Sequence, residues 1–479
     1  MNFWSPENLR AVVGGMWLAR PTAEASGLST DSRSIAPAQL FLALRGETFD
    51  GNTMVASAAA SGSPLAIIDN PEAAGPLPPG MGILRVPDTR RALLKLGAAY
   101  RKSLEGVRIL AVAGSNGKTT TVRLLDAVLG AAMRGTASQK SFNNAVGVPL
   151  TLLSGRPGDQ YLICEIGTNA PGEVGELAAV VAPDIAVVTS IGREHLEKLG
   201  SLRGVAREEA SLLEHIRTGG AAVINADAPH LLESVAALGR KPRAVISFGE
   251  GERADVRVVA VEQGFGGVRF TLNDRSVFDA PLLGRHNALN AAAAVAVGRR
   301  LGLSNEQIGA GLRKVRSAEM RLERAEVGGI RVINDAYNAN PDSMKAALDT
   351  FAALDAGTGR RVVVLGDMLE LGEHAESSHA ELGRRLAAVP GLDLIVLVGD
   401  SMRHAARALE DASGEGRVVR VEELDGPRAK EVAGLLRKGD LVLLKGSRRM
   451  RLERLVAALP PGGNDAKRRS GRGPRAPAA

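Results

Sequence analysis

The sequence predicts an α/β protein built from three domains, and three observations support this prediction. The chain is 479 residues long, about three times the size of a typical domain, so two or three domains are expected. Hydrophobic residues make up 45% and charged residues 24%, which is the balance of a folded globular protein rather than a disordered one. Strand-like apolar runs also alternate with helix-like segments over most of the chain, a pattern typical of sheets covered by helices.

Residues 1–106 are predicted to form a small mixed α/β domain. Its short apolar runs are 40–44, 65–68 and 83–86. Segments rich in turn-forming residues separate these runs, which favours short strands joined by loops. A helix-like segment at 90–103 follows, and we place the end of the domain just after it.

Residues 107–314 and 315–459 are predicted to form two further domains, each with a parallel sheet between layers of helices. Their apolar runs are continuous, as in strands that are buried on both faces. In the central domain these runs are 109–113, 161–166, 185–188 and 221–224. In the C-terminal domain, which we predict to be Rossmann-like, they are 330–333, 361–365, 394–398 and 441–444. Residues 460–479 are rich in Pro, Gly and Arg and are predicted to be a disordered basic tail.

Charge and composition argue against nucleic-acid binding. The net charge is +7, and part of it belongs to the tail, which has five Lys or Arg residues against one Asp. The rest of the chain is close to neutral, and aromatic residues make up only 3%. A nucleic-acid-binding protein would carry a basic surface or exposed rings for bases to stack on, so we expect no nucleic acid as a partner.

Cysteine content and hydropathy indicate a compartment. The single cysteine, Cys164, excludes a disulfide within the chain and favours a reducing environment. The first residues lack the basic segment and apolar core of a signal peptide, and no apolar stretch reaches the length of a membrane span. We therefore expect a cytoplasmic protein with no membrane span. We also expect it to be a monomer.

A glycine-rich loop, GSNGKTT, lies between the predicted strand 109–113 and a predicted helix. Backbone N–H groups of such a loop converge on phosphate oxygens, Lys118 would neutralise the outer phosphates, and the Thr119 hydroxyl would ligate Mg²⁺. The strict pattern requires a glycine where this chain has Val112, so the loop is a shorter variant. The residues predicted to bind ATP here are Gly114, Ser115, Asn116, Gly117, Lys118, Thr119 and Thr120. The alternative is a simple glycine-rich turn with a solvated lysine; on the first interpretation the central domain is P-loop ATPase-like.

Further motifs follow in a fixed order over nearly the whole chain. They are TDSR (30–33), NNAVGVPLT (143–151), EIGTN (165–169), EHLE (194–197), GRHNALN (284–290), DAYNANP (335–341), GDMLELG (366–372) and KGSR (445–448). Together with the phosphate loop they resemble the motifs of the Mur ligase family, whose members add amino acids to the peptidoglycan precursor. The resemblance implies that ATP and Mg²⁺ are used to form an acyl phosphate, which an amine then attacks.

Within that family, three of the strings imply a particular reaction. DAYNANP, GDMLELG and KGSR are similar to those of the ligase that joins D-alanyl-D-alanine to UDP-N-acetylmuramoyl-tripeptide, so these two molecules are the expected partners. Two alternatives stay open at this point: a related ligase with a different acceptor, and a catalytically inactive nucleotide-binding homologue. The basic tail leaves a third idea, binding of nucleic acid or an anionic membrane surface.

The resemblance also implies a set of metal-binding and catalytic residues. Glu165, at the end of a predicted strand, and His195 correspond to the family's magnesium ligands, and Lys118 and Thr119 belong to the same set. A family lysine that becomes carbamylated is missing, because no lysine occurs between Gly200 and Glu214. We hypothesise that Glu209 supplies the carboxylate instead. The alternatives are an ion pair for Glu165, a structural His195, and a solvated helix face for residues 208–209.

The remaining candidates bind nucleotide or substrate. For ATP, the resemblance implies Asn287, Asn290, Arg321 and Asp335. For the substrates, it implies Ser32, Arg33, Asn143, Asn144, Tyr337, Asn338, Asn340, Lys445, Ser447 and Arg448. Helix capping is the alternative for Asn287 and Asn290, and Asx turns would equally explain Asn338 and Asn340. Arg448 would pair a substrate carboxylate in bidentate fashion.

Overall fold

The structure, a computed structural model, describes residues 2–412 and 416–460. It contains three sheets connected by helices, which confirms the predicted α/β class. One sheet lies within each predicted domain, and the domain bounds themselves stay predictions. The predicted tail lies outside the described residues, except for residue 460. No helix among the described residues is both long and apolar enough to cross a membrane.

The N-terminal part is a five-stranded sheet with the order β1-β5-β4-β3-β2. Its strands are β1 (Met16–Ala19), β2 (Gly27–Ser29), β3 (Gln39–Leu42), β4 (Leu65–Ile68) and β5 (Gly82–Arg85), and its helices are α1 (Pro6–Val13), α2 (Val55–Ala60), α3 (Pro71–Ala74) and α4 (Thr89–Ser103). Only β1 is antiparallel to its neighbour, so the part is mixed, as predicted. Helix α4 leaves this part and packs on the central one.

The central part is a nine-stranded sheet with the order β14-β13-β12-β11-β10-β9-β6-β8-β7. Its strands are β6 (Arg108–Ala113), β7 (Gly135–Ala137), β8 (Tyr161–Glu165), β9 (Ile185–Val188), β10 (Ala221–Asn225), β11 (Ala244–Gly249), β12 (Val256–Gly264), β13 (Gly267–Leu272) and β14 (Val277–Ala280). Its helices are α5 (Lys118–Leu129), α6 (Gly147–Leu153), α7 (Glu173–Val181), α8 (Leu196–Leu199), α9 (Leu202–Ala210), α10 (Leu231–Ala236), α11 (His286–Arg300) and α12 (Asn305–Leu312).

The central sheet differs from the expected all-parallel arrangement at one edge. Strands β12, β13 and β14 are joined antiparallel. Along β13 buried residues alternate with less buried ones, because one face packs on the core and the other meets solvent. Antiparallel strands tolerate such an open face, whereas parallel sheets are covered on both sides.

The C-terminal part is a six-stranded sheet with the order β15-β16-β20-β17-β18-β19. Its strands are β15 (Glu323–Val327), β16 (Ile330–Asp335), β17 (Arg361–Gly366), β18 (Leu392–Val398), β19 (Arg417–Val421) and β20 (Leu441–Lys445), and its helices are α13 (Pro341–Ala352), α14 (Ala375–Ala387), α15 (Met402–Asp411), α16 (Gly426–Leu435) and α17 (Glu453–Ala458). All strands but β15 are parallel, and apolar cores lie on both faces, as in a Rossmann-like fold. Short 3-10 helices occur at Gly51–Met54, Ser211–His215, Gly372–His374 and Arg448–Met450.

The carboxyl ends of the parallel strands place the polar motifs. The phosphate loop follows β6, Glu165 is the last residue of β8, and the EHLE motif comes soon after β9. In the C-terminal part Asp335 and Lys445 are the last residues of the neighbouring strands β16 and β20. Because ligands of α/β folds bind at such strand ends, these motifs define where a site can form.

Candidate active site

A cavity of about 620 Å³ lies where the three parts meet. Predicted site residues that line it are Ser115, Asn116, Gly117, Lys118, Thr120, Asn143, Asn144, His195, Asn287, Asn290, Arg321, Asp335, Tyr337, Asn338, Asn340 and Lys445. The N-terminal part contributes Arg90, from the first turn of α4. Most of the predicted nucleotide and substrate residues are therefore brought to one place.

The phosphate loop is held open by its backbone and by the segment after β9. Gly114 and Gly117 have φ values of 123° and 85°, in the region that favours glycine. The Ser115 N–H donates to the Ser190 carbonyl and the Asn116 N–H donates to the Ser190 hydroxyl, both at 2.8 Å. Gly117 directly precedes α5 and has no side chain to cap it. The first N–H groups of the helix are therefore open towards the cavity.

Lys118 lies among three buried carboxylates. Its ammonium donates to the carbonyls of Gly114 and Ser115 and lies 3.9 Å from Glu194 Oε1. Burial by itself would lower the pKa of Lys118, but the charges of Glu194, Glu209 and Glu165 outweigh burial and raise it. The lysine is therefore a fixed cation at the phosphate loop.

Each of these carboxylates has one buried oxygen without a hydrogen-bond partner among the described residues. Glu165 accepts a hydrogen bond from the Asn143 amide at 2.9 Å on its other oxygen, and Glu209 accepts one from the Gly114 N–H at 2.7 Å. Burial raises the pKa of Glu209 to about 8, with Lys118 opposing the shift. When ionised, three buried acids beside one lysine carry an excess of negative charge, which a hard cation such as Mg²⁺ would neutralise.

The structure brings the predicted magnesium ligands only partly together, and their role in binding the metal stays a prediction. In the residues that the structure describes, no group of three or more His, Cys, Asp or Glu side chains is arranged to hold a metal ion. Glu165 and Glu209 each have one buried oxygen without a hydrogen-bond partner among the described residues. The Thr119 hydroxyl, in contrast, lies within hydrogen-bond distance of the Ser141 hydroxyl, at 3.2 Å. His195 Nδ1 lies 2.8 Å from Glu370 Oε2, across the boundary between the central and C-terminal parts.

The alternative of a solvated face for residues 208–209 is wrong. Both side chains are buried. Glu208 accepts hydrogen bonds from the N–H groups of Gly172 and Val174, both at 2.8 Å, and so caps helix α7. Glu209 is the member of the pair that reaches the phosphate loop.

Asn287 and Asn290 lie in the first turns of α11 and are buried against the phosphate loop. The Asn287 amide donates to the Leu283 carbonyl at 2.7 Å, and the Asn290 amide donates to Asn287 Oδ1 at 2.8 Å. Neither caps the helix, since no side chain caps the N-terminus of α11. The Asn290 carbonyl oxygen lies next to Gly117.

In the C-terminal part, the structure gives several predicted ligand groups a protein partner. Asp335 accepts from the Leu322 N–H at 3.0 Å and from Lys445 at 2.6 Å, so both of its oxygens are engaged. Lys445 also donates to the Asn338 carbonyl at 3.1 Å. Although the sequence assigns Asp335 to ATP and Lys445 to the substrate, they form one buried ion pair.

Three further predicted residues of the C-terminal part are Arg321, Tyr337 and Asn340. The Arg321 guanidinium lies 4.2 Å from the centre of the Tyr337 ring, and both line the cavity. Asn340 caps α13 by accepting a hydrogen bond from the Ser343 N–H at 2.8 Å. This local hydrogen bond agrees with the Asx-turn alternative for Asn340. Its amide also donates to Asn116 Oδ1 at 3.0 Å, which links the C-terminal part to the phosphate loop.

Ser447 and Arg448 line a second cavity of about 90 Å³ that adjoins the first. The Ser447 hydroxyl accepts from the Leu369 N–H at 3.0 Å. Arg448 lies 3.1 Å from Glu453 Oε1. Both side chains are thus engaged with the protein.

The predicted substrate residues of the N-terminal part, Ser32 and Arg33, line neither cavity. Ser32 is buried, and Arg33 is exposed and pairs with Asp31 at 2.9 Å. Nearby in the chain, Asn52 is fully buried and donates to Asp50 and Asp69. Asn52 therefore holds the loop together.

Three residues that sequence reasoning missed connect the parts. Arg193 donates to Asp342 at 3.1 Å and to Glu381 at 2.8 Å, which joins the segment after β9 to α13 and α14. Glu370, from the GDMLELG string, pairs with His195, and Arg90 reaches the main cavity. The sequence offers two signals for these residues. Arg193 directly precedes the EHLE motif, and Glu370 lies within the GDMLELG motif.

Family profiles match most of the chain. The profile described as "Mur ligase middle domain" matches residues 112–298, "Mur ligase, glutamate ligase domain" matches 320–448, and "Mur ligase family, catalytic domain" matches 24–101. These matches fall on the central, C-terminal and N-terminal sheets respectively.

Individual relatives match nearly end to end. The UDP-N-acetylmuramoyl-tripeptide–D-alanyl-D-alanine ligase of Bacillus subtilis is 36% identical and covers 95% of this chain and 97% of its own length. The Escherichia coli enzyme of the same name is 32% identical, over 91% and 94%. Among solved structures, MurF from Acinetobacter baumannii superposes with a TM-score of 0.83 at 33% identity, over 95% of this chain and 98% of its own. MurF from Thermotoga maritima in complex with ADP shares the fold, with a TM-score of 0.76 at 24% identity.

Proposed function

Because the chain belongs to the Mur ligase family, we propose that it is an ATP-dependent amide ligase that joins D-alanyl-D-alanine to UDP-N-acetylmuramoyl-tripeptide. The single observation that supports this most strongly is Lys118, held among Glu165, Glu194 and Glu209 beside a loop of open backbone amides. Such a site suits the meeting of two anions, a nucleotide and a carboxylate, which repel each other in water.

The reaction proceeds in two steps. The carboxylate of the tripeptide attacks the γ-phosphorus of ATP, the bond from that phosphorus to the β,γ-bridging oxygen breaks, and the products are an acyl phosphate and ADP. The amine of D-alanyl-D-alanine then attacks the acyl carbon, an amide bond forms, and inorganic phosphate leaves with one oxygen of the original carboxylate. The amine loses its proton during the second step.

The phosphate loop contributes charge and direction. The amides at the start of α5 and the Lys118 ammonium would bind the outer phosphates, which requires Lys118 to exchange its contacts with the Gly114 and Ser115 carbonyls for phosphate oxygens. Arg321, which lines the same cavity, adds a second cation. Asn287 and Asn290 lie beside the loop, where the adenosine end of the nucleotide would fit.

Magnesium fits the acids of this site. Glu165, Glu209 and the Thr119 hydroxyl are the groups that would hold it, since the two carboxylates have buried oxygens without partners. When bound, it would neutralise phosphate charge and polarise the transferred group. Glu209 would supply a carboxylate, with metal binding displacing its proton, where related enzymes modify a lysine. Asn143, which donates to Glu165, would orient that carboxylate.

The three domains divide the work. Residues 1–106 bind the UDP-sugar, with Ser32 and Arg33 as candidates; residues 107–314 bind ATP; and residues 315–459 bind the dipeptide. The contacts of Arg193 and His195 hold the C-terminal part against the central part, and fuller closure around the substrates would exclude water from the acyl phosphate. We place the reaction in the cytoplasm and expect a monomer.

An omission assay tests this function. Purified protein is incubated with ATP, Mg²⁺, UDP-N-acetylmuramoyl-tripeptide and D-alanyl-D-alanine, each left out in turn, and ADP and the amide product are measured. We expect stoichiometric ADP and product only in the complete mixture. Turnover with another amino acid in place of the dipeptide would indicate a different acceptor. ATP binding without any ADP release would indicate an inactive homologue.

A further inference from the structure

The second cavity, of about 90 Å³, has an acidic side and a basic side. It shares with the main cavity the residues Glu194, His195, Asn338, Ala339, Asn340 and Glu370. The residues that line only the small cavity are Arg193, Leu369, Leu371, Ser447, Arg448 and Arg449. The acids thus face the nucleotide site, and the arginines lie beyond them.

Two of the three arginines already have a carboxylate partner. Arg193 pairs with Asp342 at 3.1 Å and Glu381 at 2.8 Å. Arg448 pairs with Glu453 at 3.1 Å. Arg449 makes no ion pair or side-chain hydrogen bond within residues 2–412 and 416–460. Because a guanidinium is always charged, Arg449 presents an uncompensated positive charge to the small cavity.

The other basic and polar groups near this cavity are engaged as well. Lys445 is buried and pairs with Asp335 at 2.6 Å. The Ser447 hydroxyl accepts from the Leu369 N–H. Of the positively charged side chains at this end of the site, Arg449 is therefore the one available for an incoming anion.

We propose that Arg449 binds the terminal carboxylate of the incoming dipeptide, an inference that rests on the proposed function. The dipeptide is a zwitterion whose ammonium and carboxylate are separated by about 7 Å when two residues are extended. Its amine end must face the nucleotide site, which Glu194 and Glu370 line. Its carboxylate then points into the small cavity, towards Arg449. Ala339, Leu369 and Leu371 offer apolar surface to the two methyl groups.

A substrate analogue isolates this contact. Steady-state kinetics are measured with D-alanyl-D-alanine and with its C-terminal carboxamide, which keeps the amine and methyl groups but has no charge at the far end. We expect wild-type protein to prefer the acid by about 10- to 100-fold in kcat/KM, the range of a charge-assisted hydrogen bond. In Arg449→Met the preference should fall to about one, through a higher KM for the acid.

Companion variants show whether the effect belongs to Arg449. Arg449→Lys, which keeps a positive charge without the planar fork, should retain part of the preference. Arg451→Met, an exposed arginine two residues on that lines neither cavity, should keep both the wild-type preference and the wild-type KM values. The KM for ATP should stay unchanged in all three.

The outcomes separate this inference from the proposed function. If wild-type protein releases no ADP with either dipeptide, the function itself fails. If wild-type protein ligates the dipeptide but Arg449→Met prefers the acid as strongly as wild type does, Arg449 does not bind the carboxylate. If Arg448→Met, rather than Arg449→Met, removes the preference, the neighbouring arginine is the binding residue and the inference is overturned.

Discussion

The two boundaries of the central part are built in contrasting ways. Towards the N-terminal part, helix α4 packs apolar side chains on α6, and Gly97 lies against Pro149 so closely that a side chain there would collide. Arg101 is buried in that boundary and donates to the carbonyls of Val181 and Ala182 at 2.9 and 3.0 Å. Such a boundary behaves as a shared core.

Towards the C-terminal part, the boundary at the cavity is polar. It is formed by the ion pairs of Arg193 with Asp342 and Glu381, the contact of His195 with Glu370, and the hydrogen bond from Asn340 to Asn116. Partly exposed ion pairs contribute little net stability and are weakened by salt. From this difference we expect the N-terminal and central parts to move together, while the C-terminal part opens and closes the site.

We expect the largest effect from Lys118, which lines the cavity between the central and C-terminal parts. Lys118→Ala removes the fixed cation at the phosphate loop, so ADP release should fall by at least about 1,000-fold. The measurement is ADP release in the complete mixture, with circular dichroism to verify folding. Lys345→Ala, which removes an exposed lysine paired with Asp349, is the control and should keep wild-type turnover. Undiminished turnover in Lys118→Ala would contradict the role of the loop.

Glu209→Gln comes next. Without this carboxylate the magnesium site loses an oxygen ligand, and we expect kcat to fall about 10- to 100-fold at fixed Mg²⁺, with part of the loss recovered at high Mg²⁺. Glu208→Gln is the matched variant, because it alters the cap of α7 and not the phosphate loop. It should lower stability more than activity. A wild-type rate that increases on adding bicarbonate would argue that a modified lysine is still used.

Arg193→Met tests the polar boundary directly. Loss of its pairs with Asp342 and Glu381 should favour the open arrangement, so kcat/KM should fall about tenfold while the melting temperature changes little. Small-angle X-ray scattering with an ATP analogue should give a larger radius of gyration than for wild type. Arg269→Met, which removes an exposed pair with Asp279, is the control. Equal radii for wild type and Arg193→Met would mean that these pairs do not hold the closed arrangement.

Leu152→Ala tests the apolar boundary. This fully buried residue of α6 belongs to the core shared by α4 and the central sheet, so its truncation should lower the free energy of unfolding by about 2–5 kcal/mol. Urea denaturation measures this loss. At temperatures where the variant is folded, kcat should stay within about twofold of wild type. A tenfold loss of kcat in fully folded protein would show that this boundary also takes part in the catalytic motion.

Stability should also depend on pH through Glu209. Burial raises its pKa from the ordinary value near 4.5 to about 8, so the folded protein holds a proton that the unfolded chain has released. Between these pH values the free energy of unfolding should therefore decrease as pH rises, and level off above about pH 8. Urea denaturation without nucleotide or Mg²⁺, compared with Glu209→Gln, measures this contribution. A difference between the two proteins that is constant from about pH 5 to about pH 9 would contradict it.

The sequence predicted what is local in the chain. The phosphate loop, residues 114–120, combines a strand, a glycine-rich turn and a helix start, and the structure has all three in place. The parallel sheets were predictable because their strands are continuous apolar runs. The antiparallel edge from β12 to β14 was missed, although its alternating exposure follows the period of a one-sided strand.

Pairings between distant residues could not be predicted in this way. Arg193 and Glu381 are 188 residues apart, and Asp335 and Lys445 are 110 apart. The sequence assigned Asp335 and Lys445 to different ligands because each follows its own strand, and only the neighbouring positions of β16 and β20 bring them together. Arg448 and Arg449 are adjacent in sequence, and what distinguishes them is the nearby Glu453, which pairs with one of them alone.

The central claim is that phosphate passes from ATP to the tripeptide carboxylate at the Lys118 loop before the amide forms. Tripeptide precursor labelled with ¹⁸O in its terminal carboxylate tests this transfer directly, with the released phosphate analysed by mass spectrometry. We expect one ¹⁸O atom in each phosphate released per amide formed. Phosphate without ¹⁸O, at an undiminished rate of amide formation, would contradict it.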